Sequence, residues 1–158
     1  MSRVSPDTWH TFCNDPSEGA FEVLYGSPGG LVSRFPEDDW HQNRANVPDE
    51  AEQDDFFGYA LAAGDFDDDG FVDVAVGVLG EDVDAIADAG AVQILYGSAA
   101  GLTGSGSQFW HQNVAGVDGS AEEGDGFGNA LAAIPRSRAI FADGFEMGDL
   151  SWWSGSGP

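Results

Sequence analysis

The chain repeats itself with a period of about seventy residues. Ala20-Phe21-Glu22-Val23-Leu24-Tyr25-Gly26-Ser27 returns as Ala91-Val92-Gln93-Ile94-Leu95-Tyr96-Gly97-Ser98. Gly30-Leu31 returns as Gly101-Leu102, and Trp40-His41-Gln42-Asn43 as Trp110-His111-Gln112-Asn113. Phe57-Gly58-Tyr59-Ala60-Leu61-Ala62-Ala63 returns as Phe127-Gly128-Asn129-Ala130-Leu131-Ala132-Ala133. Order, identity and spacing all recur. Such a repeat is one supersecondary unit that buries its apolar face against the next copy, and this narrows the fold more than composition does.

One period reads as four short strands, at 59–64, 73–78, 90–96 and 108–113. Gly, Asp and Ser between them supply turns. Four antiparallel strands per repeat is the blade of a β-propeller. With Gly 23 and Pro 7, the chain is expected to be all-β. Residues 20–43 supply the last two strands of one blade and 57–113 a whole blade. Residues 125–133 begin a third, so the expectation is a partial propeller: about one full blade plus parts of two others. A propeller closes with roughly four to eight blades, so this chain is not expected to close alone.

Between the first two strands of the full blade lies Gly64-Asp65-Phe66-Asp67-Asp68-Asp69-Gly70-Phe71-Val72-Asp73. Asp65, Asp67, Asp69 and Asp73 can point to one side of a tight loop. Two carboxylates at ~4 Å repel by roughly 4 kcal/mol at an effective dielectric of ~20. A hard divalent cation reverses that sign, and Ca²⁺ suits best because it takes six to eight oxygens in flexible geometry. Gly70 falls where the loop must turn sharply, and the Phe71 carbonyl supplies a further oxygen. An EF-hand fails, because Val76 occupies the position of its bidentate Glu and the flanks read as strands.

Phe57-Gly58, the Asp-rich loop, Asp73-Val74-Ala75-Val76-Gly77 and Gly90-Ala91-Val92 together resemble the FG-GAP repeat. The resemblance covers roughly residues 19–133. It implies a β-propeller of the kind found in integrin α subunits and in bacterial secreted proteins. It also implies Ca²⁺ held by Asp65, Asp67, Asp69, the Phe71 carbonyl and Asp73. Where the family has Gly-Ala-Pro this chain has Gly77-Val78-Leu79, which is expected to loosen that turn. The expected domains are a degenerate N-terminal segment (1–18), the repeat region (19–133) and an aromatic tail (134–158). Ile140–Ser154 resembles a C-terminal segment of some bacterial secreted proteins, and an aromatic strand covering an edge is the other reading. Residues 155–158 are expected to be disordered.

The functional expectation is a calcium-binding, non-enzymatic structural or adhesion scaffold. The alternatives are an accessory fragment of an extracellular hydrolase and a truncated remnant without function. The resemblance implies an extracellular or cell-surface location, although Met1–Asp7 lacks the apolar core of a signal peptide. There are 28 Asp and Glu against five Arg and no Lys, for a formal charge of −23. Such a surface repels phosphate backbones, so no nucleic-acid partner is expected. No run of eighteen apolar residues is present, so no membrane insertion by a helix is expected. The partner is a protein or glycan, or a further copy that completes the propeller. Cys13 stands alone, which rules out an intrachain disulfide. His41 and His111 recur at equal repeat positions and read as framework, as do Tyr25/Tyr96, Phe57/Phe127 and Trp40/Trp110, with sugar or protein contact the other reading for the Trp pair. Asp49–Asp55 and Glu122–Asp125 read as solvated loops. No nucleophile, zinc or phosphate-loop motif is present.

Overall fold

A computed structural model of the chain describes residues 17–33 and 38–134. Among these there are eight strands and no helix: β1 (Phe21–Glu22), β2 (Tyr25–Ser27), β3 (Gly30–Val32), β4 (Asp39–Trp40), β5 (Phe57–Gly64), β6 (Asp73–Val78), β7 (Ala91–Tyr96) and β8 (Thr103–Trp110). β5-β6-β7-β8 form one antiparallel sheet in chain order, while β1 pairs β4 and β2 pairs β3. The fold is all-β, with one complete four-stranded blade and part of the blade before it.

The repeat is visible in the pairing itself. Tyr25 faces Val32 as Tyr96 faces Thr103, and Phe21 faces Trp40 as Val92 faces Trp110. In the complete blade the outer two strands run on as β7 and β8. In the preceding one the same path is broken into β1, β2, β3 and β4. The fourth strand spans Thr103–Trp110, earlier than 108–113. His111–Asn113 instead open a turn, because Val114 N–H donates to the His111 carbonyl at 3.0 Å. The Gly104-Ser105-Gly106-Ser107 stretch, whose composition reads as a loop tip, is part of this strand, and at Gly104 nothing larger fits. A Cβ at Gly104 would lie 2.8 Å from the Ala45 carbonyl, and Ser107 Oγ donates to the Asn46 carbonyl at 2.7 Å.

The core is the junction between the two blades. Trp40 and Val47 from the first pack with Phe57, Val76, Val78, Ala91 and Leu95. Phe21 stacks on Phe57 with ring centroids 5.7 Å apart. Burying side chains of this size contributes about 1.5–3 kcal/mol each. The backbone also docks: Phe57 N–H donates to Glu18 C=O at 2.9 Å, and Phe127 N–H repeats this on Ala89 C=O at 2.8 Å. The recurring Phe-Gly is thus the step by which each repeat attaches to the one before. Residues 127–134 make this attachment but form no strand. The N-terminal segment up to residue 16, with Trp9-His10, and the tail from residue 135 lie outside the described residues.

Candidate metal centre

The loop between β5 and β6 brings together Asp65, Asp67 and Asp73. One carboxylate oxygen from each lies within 4.8 Å of the others. The chain can bend this tightly because Asp68 and Gly70 take positive φ, 63° and 91°. A type of turn that leaves no side chain in the way is open to glycine without steric cost, and to aspartate at modest cost. Gly64 pairs Asp73 at the base, so the hairpin register holds both ends of the loop.

Backbone donors already orient these acids. Asp69 N–H and Gly70 N–H donate to the two Asp65 carboxylate oxygens at 3.1 and 3.0 Å. Asp67 accepts from Asp69 N–H at 3.2 Å. Asp69 is not part of the close group: its Oδ1 accepts from Phe71 N–H at 2.8 Å. The Asp67 carboxyl is held above the usual carboxylate range, first by lost hydration, then by the charges of Asp69, Asp73 and Asp65, with the Asp69 N–H opposing. Asp67 is exposed, so the crowding of like charge is the physically informative part.

Asp73 differs from the other two. It is fully buried, and its two oxygens accept from Phe66 N–H at 2.6 Å and Gly97 N–H at 2.8 Å. It ties the start of β6 to the end of β7 whether or not a cation is present. Asp73→Ala is therefore expected to lower stability by about 2–4 kcal/mol in EDTA, since two buried N–H groups lose a charged acceptor. Urea unfolding in EDTA measures this; a loss seen only with Ca²⁺ present would refute it.

The Trp-His-Gln-Asn segments are framework. Asn43 and Asn113 side chains accept from Ala51 and Ala121 N–H at 3.2 and 3.0 Å, so each segment folds the same linker loop. Arg44 lies over the Trp40 ring at 4.3 Å, and burial pushes the His41 imidazole down.

One group escaped the sequence reading. Asp55, expected in a solvated loop, is buried, and so is Glu81 in the β6–β7 connection. Gln42 Nε2 donates to Glu81 Oε2 at 2.7 Å, and Asp49 hydrogen-bonds the same carboxyl. Burial, followed by Asp49 and Asp55, raises Glu81 to about 9; burial raises Asp55 to about 6. Asp55 recurs as Asp125, and each caps its own loop, accepting from Glu52 and Glu122 N–H at 2.5 and 2.9 Å; Asp125 is exposed, so the recurrence marks the cap and not the burial. Leu79, in the family's proline position, points its Cδ1 at Gly126, where an added Cβ would come to 2.9 Å.

A four-stranded antiparallel blade, an acidic loop joining its first two strands and a repeated Phe-Gly docking step define a propeller-blade protein with a loop of the cation-binding type. Comparison with protein families agrees: residues 57–95 match the FG-GAP repeat, so the chain carries an FG-GAP repeat. Neither the comparison with curated proteins nor that with solved structures gave a match.

Proposed function

We propose that this chain is a calcium-binding β-propeller module that acts outside the cell as a non-enzymatic interaction scaffold. The observation that carries the reading is the convergence of Asp65, Asp67 and Asp73 on one point of a loop already shaped by backbone donors. The donor set is hard oxygen throughout, which favours Ca²⁺ over softer metals. The Phe71 carbonyl and Asp69 stand within the same loop and complete the proposed ligand set. Bound Ca²⁺ would supply positive charge at the centre of the loop. The chain's own part is to hold three carboxylates together against their repulsion. Asp73 does this from a buried position, and Asp65 does it through two backbone donors.

Extracellular sites of this type bind at ~10⁻⁴–10⁻³ M. At a few-fold excess of Ca²⁺ over Kd, linkage stabilises the fold by roughly 1 kcal/mol. Asp67→Ala is expected to abolish loop binding in calorimetric titration while leaving stability in EDTA unchanged, because Asp67 is exposed and only accepts from its own loop. Unaltered Ca²⁺ affinity in that variant would sink the assignment. The strongly acidic surface supports a calcium-rich setting and argues against polyanionic partners.

A further inference from the structure

The two ends of the described array expose the same surfaces that the internal junction covers. At the internal junction Trp40, His41, Gln42, Val47 and Phe57 are buried. Their repeat equivalents Trp110, His111, Gln112, Val117 and Phe127 are only half-buried. The opposite end shows the converse. Leu95 is 0% exposed against the preceding blade, whereas its equivalent Leu24 is 51% exposed. Leu102 packs on the core, whereas its equivalent Leu31 is 72% exposed. Alternation along the strand explains the match. Ala91 and Leu95 face the preceding blade, so Ala20 and Leu24 face the place where a preceding blade would sit. One end therefore lacks what the other end is shaped to receive.

We propose that these two faces are each other's partners, so that copies of this chain associate head to tail. The Trp110–Val117–Phe127 face of one copy packs against the Leu24–Leu31 face of the next. The interface continues the part of the internal junction in which Trp40 and Val47 meet Ala91 and Leu95. It is heterologous, as a face that joins two different patches must be, and leads to a ring when the rotation closes. This inference rests on the propeller reading and not on the cation loop. Glu22 stands on the receiving face where Gln93 stands inside the chain. Together with the formal charge of −23, it makes the association stronger in high salt, which screens like charge.

Sedimentation equilibrium of the full chain in Ca²⁺, at low and high NaCl, tests this with Leu24→Asp and Val117→Asp. Each variant has one disabled face. Wild type is expected to associate, more strongly in high salt. Each variant alone is expected to be monomeric, and a mixture of the two is expected to give a one-to-one heterodimer and nothing larger. Leu31→Asp stands in for Leu24→Asp if that variant fails to fold, as judged by its circular dichroism. A wild type that stays monomeric in Ca²⁺ and high salt overturns the inference. So does a single variant that still associates, or a mixture that does not pair. Ca²⁺ titration of the same samples separates the two readings: binding by a persistent monomer removes the assembly and leaves the calcium module standing.

Discussion

Replacing Glu81 with Gln is expected to make the fold more stable at pH 8 and to flatten its dependence on pH. Glu81 is 1% exposed at the blade junction. Its one strong donor is Gln42 Nε2, and the charged groups that face it are the carboxyls of Asp49 and Asp55. Burial first, and these neighbours next, raise it from 4.5 to about 9. The folded-state value thus lies above the unfolded one. Its contribution is fully present below the unfolded value of 4.5 and is lost progressively as pH rises through about 9. Asp55 acts in the same direction, between 3.8 and about 6. Glutamine keeps an acceptor for Gln42 and offers Asp49 an amide donor without needing a proton. A gain of about 2 kcal/mol at pH 8 is expected, a conservative figure given that each tenfold change in proton affinity corresponds to roughly 1.4 kcal/mol. Urea midpoints at pH 5 and pH 8, in EDTA, measure it. A variant that loses as much stability between those pH values as wild type would show that Glu81 is ionised in the fold.

The contrast between Glu81 and the Asp-rich loop shows what the sequence could reveal. The loop was legible because spacing, Gly70 and the flanking strands are local, and local geometry decides where Asp65 and Asp67 point. The repeat was legible for a related reason: a second copy of each segment appears in the same chain, and its strand pairing follows residue by residue. Burial of Glu81 and Asp55 is not local. It depends on the preceding blade lying over the β6–β7 connection, and an acidic run carries no mark of that. The same holds for Thr103–Ser107, whose small residues look like a loop tip. Gly104 is small because the turn containing Ala45 and Asn46 lies against β8, whereas a Cβ at Gly106 would meet nothing. Asp69 shows a finer limit. Its spacing equals that of the other acids, but its carboxylate accepts its own loop's Phe71 N–H. Side-chain competition for backbone donors of this kind is decided at short range, after the loop has closed.

The second large effect is expected at Gly19, where Gly19→Ala should cost more than about 3 kcal/mol and detach the first blade from the second. Gly19 has φ +85°, and an added Cβ would overlap the backbone nitrogen and oxygen of Phe57. Neither atom can move aside: Phe57 N–H is bonded to the Glu18 carbonyl, and the Phe57 ring stacks on Phe21 inside the core. The clash therefore falls on the junction that holds Trp40 and Val47 against Val76 and Leu95. Overpacking typically costs 1–3 kcal/mol, and the unfavourable φ adds about 1–2 kcal/mol. Gly70→Ala serves as the control. Its φ is +91°, but a Cβ there meets nothing within 4 Å, so only the backbone cost remains. It should weaken Ca²⁺ binding with a loss of stability near 1 kcal/mol. Urea unfolding followed by circular dichroism, with tryptophan fluorescence summing Trp40 at the junction and the chain's four other tryptophans, distinguishes them. Equal losses at the two glycines would mean that close approach between the blades is not what requires glycine at position 19. A much larger loss at Gly19 would establish that Gly19, which recurs as Gly90 against Phe127, and the Phe-Gly step are two halves of one contact, the contact by which each repeat is locked to its neighbour.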